Sequence, residues 1–578
     1  MKKTIVRRAV PDAADELAAN SEEFLLSRLY KARGEQLEAG DYVLRRLLPP
    51  ESLKGLDAAL DLLCEALREQ RRVLIVGDFD CDGATSTAVL YRCLRAFGLD
   101  QVSFLVPNRF EYGYGLTPEI VELALGYRPE LIITVDNGIS SVEGVAAARA
   151  MGIRVLVTDH HLPGKILPDA DAIVNPNQPG CNFPSKNLAG VGVVFYLTMA
   201  LRARLREENW FETRNIADPN LAQFLDLVAL GTVADVVPLD FNNRVLVAQG
   251  LQRIRAGACC AGIRALFRVA KRNYLRATAS EFGFCVAPRL NAAGRLDDMS
   301  LGIRCLLSDN EAEALQLAQE LDDLNRERRA IEASMKKEAL SALDDIDNSE
   351  HAFGDSGLCL YRADWHPGVV GILAARVKDR MHRPAIVFSR ADDGELKGSG
   401  RSIPGVHLRD VLYEIASSHP GLLRKFGGHA MAAGLSLHEQ DFAAFVEAFD
   451  AAVAAHLSED MKQPILMSDG ELDERFLTLR FARRLQDAGP WGQAFPEPMF
   501  DGIFRVVSQK IVGENHLKLV LAPKDFGQNV YDAIAFGVET ESWPNPDVEQ
   551  IRVAYRLDLN EFMGKVNLQL RVEYLEAV

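Results

Sequence analysis

The sequence predicts an α/β protein made of a parallel-sheet catalytic domain, a second α/β domain joined to it by a long helical linker, and a C-terminal β-barrel. Three observations carry that expectation. Apolar, β-branched runs alternate with helix-period segments as far as Asn175; a highly charged segment without Pro or Gly begins at Asn310; and five short strand-like runs separated by turn residues follow Ile465.

The runs VLIVGD (73–78), VSFLV (102–106), LIITVD (131–136), RVLVTD (154–159) and AIVN (172–175) read as strands, and ATSTAVLYRCLRAF and SVEGVAAARAMG between them have helical spacing. Strands that are apolar throughout and separated by helices belong to a parallel sheet covered on both faces. In such sheets ligands gather beyond the carboxyl ends of the strands. Three strand ends here carry polar clusters, GDFDCDG, TVDNG and TDHHLPG, which converge if the sheet forms. Residues 1–305 are therefore expected to be an N-terminal region and the catalytic domain. The segment NEAEALQLAQELDDLNRERRAIEASMKKEALSALDDID, with its narrow apolar stripe, reads as one or two long helices and supplies a linker over 306–350. LCLYR, VVGILAARVKDR, PAIVFSR, LKGSGRS and FGGHAMAAG give a second α/β pattern over 351–460. In 461–578, FRVVSQKIV, HLKLVLAP, YDAIAFGV, IRVAYRLDLN and VNLQLRVEYL suit a small barrel of the OB type, with PWGQAFPEPMF before them as a contact to the rest of the chain or to DNA.

Composition narrows the function. At 578 residues the chain exceeds one core, and 48% hydrophobic with 25% charged residues is ordinary for a folded protein. No run of about 18 uncharged apolar residues occurs, and no apolar stretch follows the basic N-terminus, so no membrane association and a cytoplasmic location are expected. Nine cysteines, odd in number and without a C-x-x-C pair, read as thiols in a reducing compartment rather than as disulfides or a zinc site. A net charge of −16 argues against a non-specific polyanion binder. Charge is partitioned, however: from Arg362 to Ala430 eleven Lys or Arg face seven Asp or Glu, so an acidic chain still has material for one basic groove.

The chemistry begins where Val73–Val76 gives way to Asp78, Asp80 and Asp82. In an extended chain these alternate residues project to one side and present oxygens to a cation, after which Gly83 lets the loop turn into a helix. A solvated acidic loop is the bland alternative. Asp136 ends TVDNG, and His160 and His161 follow Asp159 in TDHH; adjacent histidines beside an aspartate at a sheet's ligand edge favour ligation over a core role. Asp235, in LVALGTVADVVPLD, closes a helix that is apolar all round, so it needs a cation or a hydrogen-bonding partner. Asp and His ligands without cysteine suit Mn²⁺ or Mg²⁺ better than structural zinc. The set exceeds the needs of one ion, and two ions bridged by a shared carboxylate would stabilise both the attacking and the leaving oxygen of a phosphoryl displacement. Arg109 beside Phe110, Tyr112 and Tyr114 suits phosphate and base stacking; Arg289, Asn291 and Arg295 surround a small-residue turn, with interdomain ion pairing as the alternative. Glycines beside Ser399, Arg401 and His429 expose backbone N–H groups of the kind that bind phosphate.

GDFDCDG, TVDNG, TDHH and GTVADVVPL, in this order, resemble the four motifs of the DHH phosphoesterases, and the likeness extends over nearly the whole chain to those members that are single-strand-specific 5′-to-3′ DNA exonucleases. The resemblance implies that Asp82, Asp136, His160 and Asp235 hold one Mn²⁺, that Asp80 and Asp136 contribute to a second with Asp78 assisting, and that His161 contacts the scissile phosphate. It further implies that arginines of the Arg109 and Arg289–Arg295 segments hold the 5′ end, that the second domain is a DHHA1 domain binding the strand through Ser399, Arg401 and His429, and that the barrel contacts single-stranded DNA. The expected products are 5′-mononucleotides, the setting DNA repair and recombination, and the partners a single-strand-binding protein and a RecQ-type helicase. Cys81 departs from the smaller residue common at its position, which suggests a site sensitive to oxidation. Two other functions stay open: a phosphodiesterase of short oligonucleotides or cyclic dinucleotides, and a non-catalytic replication scaffold of the same fold.

Overall fold

The computed structural model describes residues 3–9, 21–35, 42–107, 112, 114–344, 355–391, 394–524, 529–562 and 565–578. The chain divides into two units, each discontinuous in sequence: residues 1–7 with 326–468, and residues 8–325 with 469–578. Strand β1 (Thr4–Arg7) belongs to the first of these and pairs in parallel with Ile465–Ser468.

The larger unit holds the first sheet. Val, Ile and Leu side chains with no polar alternation form β2 (Val73–Gly77), β3 (Val102–Leu105), β4 (Leu131–Val135), β5 (Arg154–Thr158) and β6 (Ala172–Val174), all parallel in the order β3-β2-β4-β5-β6. Every residue of β2 and β4 is buried, as a sheet covered on both faces requires. The strand order reverses between β2 and β4, which opens a crevice beyond their carboxyl ends. Helices Cys81–Ala96, Gly190–Glu207 and Leu225–Ala234 pack together over one face, and the last is apolar on all sides because it is enclosed.

The charged segment forms one continuous helix, Glu311–Asp344, and the division between the units falls inside it. In the smaller unit, β7 (Leu358–Tyr361), β8 (Ala385–Arg390), β9 (Glu395–Arg401), β10 (Lys425–Gly428) and β11 (Ala432–His438) form a mixed sheet ordered β10-β11-β9-β8-β7, followed by β12 (Ile465–Ser468). Helices Leu408–Ser418 and Phe442–His456 cover one face through Ile386, Phe388, Leu396 and Leu435. Helix Val370–Met381 covers the β7–β8 part of the other face through Leu358, Leu360 and Val387.

The last five strands, β13 (Phe500–Val512), β14 (His516–Pro523), β15 (Tyr531–Ala535), β16 (Gln550–Phe562) and β17 (Lys565–Ala577), close into a barrel ordered β13-β14-β15-β17-β16. The barrel shares a core with the parallel-sheet region of the same unit. The PWGQAFPEPMF run lies at that junction: Trp491 stacks on Phe495 at 5.0 Å between ring centres, both stack with Tyr30, and the fully buried Arg244 guanidinium sits 4.1 Å from the Phe495 ring centre. It is therefore an internal plug within the larger unit.

Candidate metal centre

The acidic run does not stay extended. The chain turns at Asp80, which caps the Cys81–Ala96 helix by accepting from the N–H groups of Asp82 (2.8 Å) and Gly83 (3.0 Å). Asp82 therefore projects from the first helical turn, not from a strand. Gly83 is itself helical and has a different reason from the one its position suggests: a Cβ there would lie 2.4 Å from the Asp78 carbonyl oxygen. The tight N-terminal turn, favoured by an aspartate cap, wins over β-alternation.

Asp82 is fully buried and its carboxylate accepts from Gly190 N (2.6 Å) and Val191 N (2.9 Å), the first amides of the Gly190–Glu207 helix. A helix N-terminus is a natural seat for a carboxylate. Burial and the adjacent Asp80 charge nevertheless push the Asp82 carboxyl up to about 7. Asp136 follows β4 with φ of 62°, a left-handed conformation that turns its side chain into the crevice, and burial together with Asp82 and Asp80 holds its carboxyl well above the usual range. Burial and the same two aspartates do so for Asp235, the residue that caps the end of the Leu225–Ala234 helix. Val236 beside it has φ of 60°, costly for a β-branched residue, so the backbone directly after Asp235 is strained.

His160 Nε2 lies 3.1 Å from Asp136 Oδ1 and 3.3 Å from Asp235 Oδ2. Asp136 Oδ1 is buried and accepts no hydrogen bond among the described residues. Ligand atoms of Asp82, His160 and Asp235 lie within 4.8 Å of one another, as do those of Asp78, Asp80 and Asp136, and those of Asp136, His160 and His161. Asp136 is common to the last two groups and, through His160, adjoins the first. Crowded buried carboxylates, one with an unspent oxygen, and an imidazole aimed at them fit a pair of hard divalent cations.

Asp159, not singled out from the sequence as a functional group, organises the histidines. Its buried carboxylate accepts from the N–H groups of Ile139, His160 and His161 and pairs with His161 Nδ1 at 2.8 Å. Burial would depress the His161 imidazole, but the Asp159 bond and charge outweigh it and raise the group to about 9. The Tyr114 hydroxyl is 3.2 Å from His161 Nδ1 and donates to the Asp136 carbonyl at 3.2 Å. Gly190 is also structural to the site, since a Cβ would stand 2.6 Å from that of Asp136. Only the glycine pair of AGVG, opening an apolar helix, marks it in the sequence.

The remaining expected residues are placed as follows. Asn291 Oδ1 accepts from Cys81 N at 2.7 Å and so braces the helix start. Arg289 is buried and its guanidinium grips Asp322, Nη2 standing 2.7 Å from Oδ1. Arg295 is half-buried on the last turn of the same helix, Ala287–Leu296. Ser399 and Arg401 lie on β9 in the smaller unit, Arg401 Nη1 donating to Ser399 Oγ at 3.3 Å, and His429 is in the turn between β10 and β11. Arg109 and Phe110 lie outside the described residues. Cys81 is buried beneath the acidic run, and burial with Asp80 and Asp82 pushes its thiol well up, so the expected oxidation sensitivity is corrected: little thiolate is present and the sulfur is shielded from solvent. The other eight cysteines are likewise free thiols, buried or half-buried.

Residues 72–232 match the DHH family N-terminal domain, 354–455 the DHHA1 domain and 468–574 the RecJ OB domain. The chain is 53% identical over 572 residues to the single-stranded-DNA-specific exonuclease RecJ of Salmonella typhimurium, covering 98% of each chain. The chain belongs to the RecJ family. The RecJ of Haemophilus influenzae is 50% identical over 583 residues, covering all of both chains. Among solved structures, RecJ from Thermus thermophilus in complex with Mn²⁺ superimposes with a TM-score of 0.78 at 31% identity, over all of this chain and 79% of that one. The Mg²⁺ complex of the same RecJ gives 0.73 at 29% identity. Mn²⁺ and Mg²⁺ are thus the ions found with RecJ relatives whose fold this chain shares. No helix among the described residues is long and apolar enough to cross a membrane.

Proposed function

We propose that this chain is a metal-dependent exonuclease that degrades single-stranded DNA from its 5′ end to 5′-mononucleotides, in the cytoplasm, during repair and recombination. The observation that carries the reading is the convergence of three strand ends and a helix end on ligand groups joined through Asp136 and His160. In it, Asp82, Asp136, His160 and Asp235 hold one ion, and Asp80 and Asp136, with Asp78, hold the second. The bound ions supply positive charge at the attacking and leaving oxygens of the phosphoryl group.

The protein's own groups do the rest. His161, oriented through Nδ1 by Asp159, would turn Nε2–H towards a non-bridging phosphate oxygen, where charge builds in the transition state. Tyr114 adjoins the same ring, its hydroxyl 3.2 Å from Nδ1 and its own ring edge-on to the imidazole. Asp82 is kept in place by the Gly190 and Val191 amides, so the ligand set needs little rearrangement to accept its ions. Residues 1–305 would perform the chemistry, with Arg109, Asn291 and Arg295 towards the 5′ end of the strand and Arg289 positioning its helix through Asp322. Residues 351–460 would bind the strand through Ser399, Arg401 and His429, carried on the 306–350 linker helix, and the 461–578 barrel would contact single-stranded DNA. A single-strand-binding protein and a RecQ-type helicase are the partners this role calls for.

Digestion of end-labelled oligonucleotides, with and without a 5′-phosphate and with duplex alongside, tests the reading. Stepwise loss from the 5′ end of single strands is expected. Asp136→Ala should abolish cleavage, as loss of a shared metal ligand implies, while its far-ultraviolet circular dichroism stays that of the parent. Full nuclease activity in that variant would overturn the site.

A further inference from the structure

The sheet of the smaller unit has one face that is only partly covered. Residues paired across it share a face, so the register sorts them without ambiguity. Leu358, Leu360, Ala385 and Val387 lie under helix Val370–Met381. On the same face, towards the other edge, Arg401 stands opposite Ala432, Ser399 opposite Gly434, and Lys397 opposite Ser436, which in turn faces Lys425; Gly434 also faces Gly427. Lys397, Gly434, Lys425 and Gly427 are exposed. A buried core position would not carry two lysines, and a merely solvated sheet face has no need of glycines, which weaken a strand.

The glycines have a spatial meaning. A Cβ at Gly427 would meet nothing within 4 Å, and one at Gly434 only the Gly398 carbonyl at 3.9 Å, so their absence is not forced by packing and leaves the backbone bare. Around that floor the polar groups lie in two rows. Ser399 and Arg401, hydrogen-bonded to each other, make one end. Two residues along β9, about 6.8 Å by strand geometry, Lys397 begins a second row that runs across β11 to Lys425. Neither lysine is ion-paired among the described residues. Ser436 between them is 6% exposed and its hydroxyl has no hydrogen-bond partner among the described residues.

We infer that Lys397 and Lys425, flanking Ser436 on the open half of this sheet, form a second phosphate subsite that holds an internucleotide phosphate of the bound single strand beyond the Ser399–Arg401 end. The inference rests on the function proposed above and adds to it a binding track with a direction, from Arg401 towards Lys397. Charge complementarity selects the occupant, because two unpaired ammonium groups in register across a bare floor suit a flexible polyanion whose charges repeat along its length. The Ser436 hydroxyl is an unspent donor in the row, available to a phosphate oxygen or to a lysine once the arms move onto the ligand.

The test is equilibrium binding of a fluorescein-labelled single-stranded oligonucleotide to the full chain in chelator, so that no turnover occurs, across a range of salt. For single strands each neutralised phosphate adds about 0.7 to the slope of log affinity against log salt. The double variant Lys397→Ala/Lys425→Ala, which empties one phosphate subsite, should lose about 0.7 from that slope, with affinity lowered roughly tenfold at physiological salt. Lys397→Arg/Lys425→Arg should keep the slope, and Lys462→Ala, which removes an exposed lysine paired with Glu459, should change neither quantity. A double-alanine slope equal to that of the parent, or a loss equal to that caused by Lys462→Ala, overturns the subsite. If the parent itself neither binds nor degrades the oligonucleotide, the exonuclease reading fails instead, and the two failures are thereby distinguished.

Discussion

At the carboxyl ends of β2, β4 and β5, aspartates and histidines are packed out of water against one another, whereas on the open half of the β9–β11–β10 face two lysines are laid out in water beside exposed glycines. The same kind of material, a sheet with charged residues at its margin, is used in opposite ways. Burial makes the acidic cluster expensive and therefore selective: its carboxyls are pushed up until something positive enters, and only ligands of the right size and charge relieve them. Exposure makes the cationic face inexpensive and therefore permissive, so that it attracts phosphate of any sequence and loses that attraction in salt. A nuclease without sequence preference needs both, an exacting centre for the bond and an indifferent one for the strand.

Three perturbations would break or sharpen that contrast. The largest effect is expected from Gly190→Ala, because the new methyl group would stand 2.6 Å from the Asp136 Cβ and shift a ligand shared between groups. A displacement of about 1 Å in such a centre costs on the order of 10²-fold in rate; single-turnover digestion should show it, and a parental rate would mean that the centre tolerates movement and is not exacting. Next comes the metal. In the metal-free protein the raised Asp82 carboxyl contributes stability that is complete below the ordinary carboxylate value and is lost as pH rises through about 7. The melting temperature of chelated protein should therefore be lower at pH 8 than at pH 6, and Mn²⁺ should raise it by more at pH 8, by several degrees for a site well saturated. Equal Mn²⁺-induced shifts at the two pH values would contradict the crowding. The smallest effect concerns thiols. Native alkylation with iodoacetamide followed by peptide mass mapping should leave Cys81 unmodified, while a cysteine placed by Gly427→Cys on the open face should react at close to the rate of an unfolded peptide; modification of both would erase the difference in burial.

Much of this is legible in the sequence because the parallel strands are apolar without interruption and each ends on its polar residue. Asp78, Asp136 and His160 can be assigned to strand ends from the residue pattern alone, and the five C-terminal strands lie where alternation places them. What the residues do not announce is the third dimension of a turn. D-x-D-x-D reads as extended, yet Asp80 caps a helix through Oδ1 and Asp82 projects from the first turn of that helix. Gly190 and Asp159 escape sequence reasoning because nothing local distinguishes a glycine that makes room for a carboxylate 54 positions earlier, or an aspartate whose bonds go to backbone amides and a neighbouring ring. Arg289 shows the limit from the other side: its surroundings suggest substrate with ion pairing as the alternative, and the partner that it pairs with, Asp322, lies on a helix that periodicity alone marks only as a linker.

The pairing of β1 with β12 has a consequence for how the molecule comes into being. Thr4–Arg7 leaves the ribosome long before its partner Ile465–Ser468, which is synthesised only after nearly everything else in the smaller unit. At ordinary elongation rates that strand waits on the order of a minute for its mate. A substitution in Thr4–Arg7 that spoils the pairing would thus burden the final closure of a unit otherwise built from a distant part of the chain.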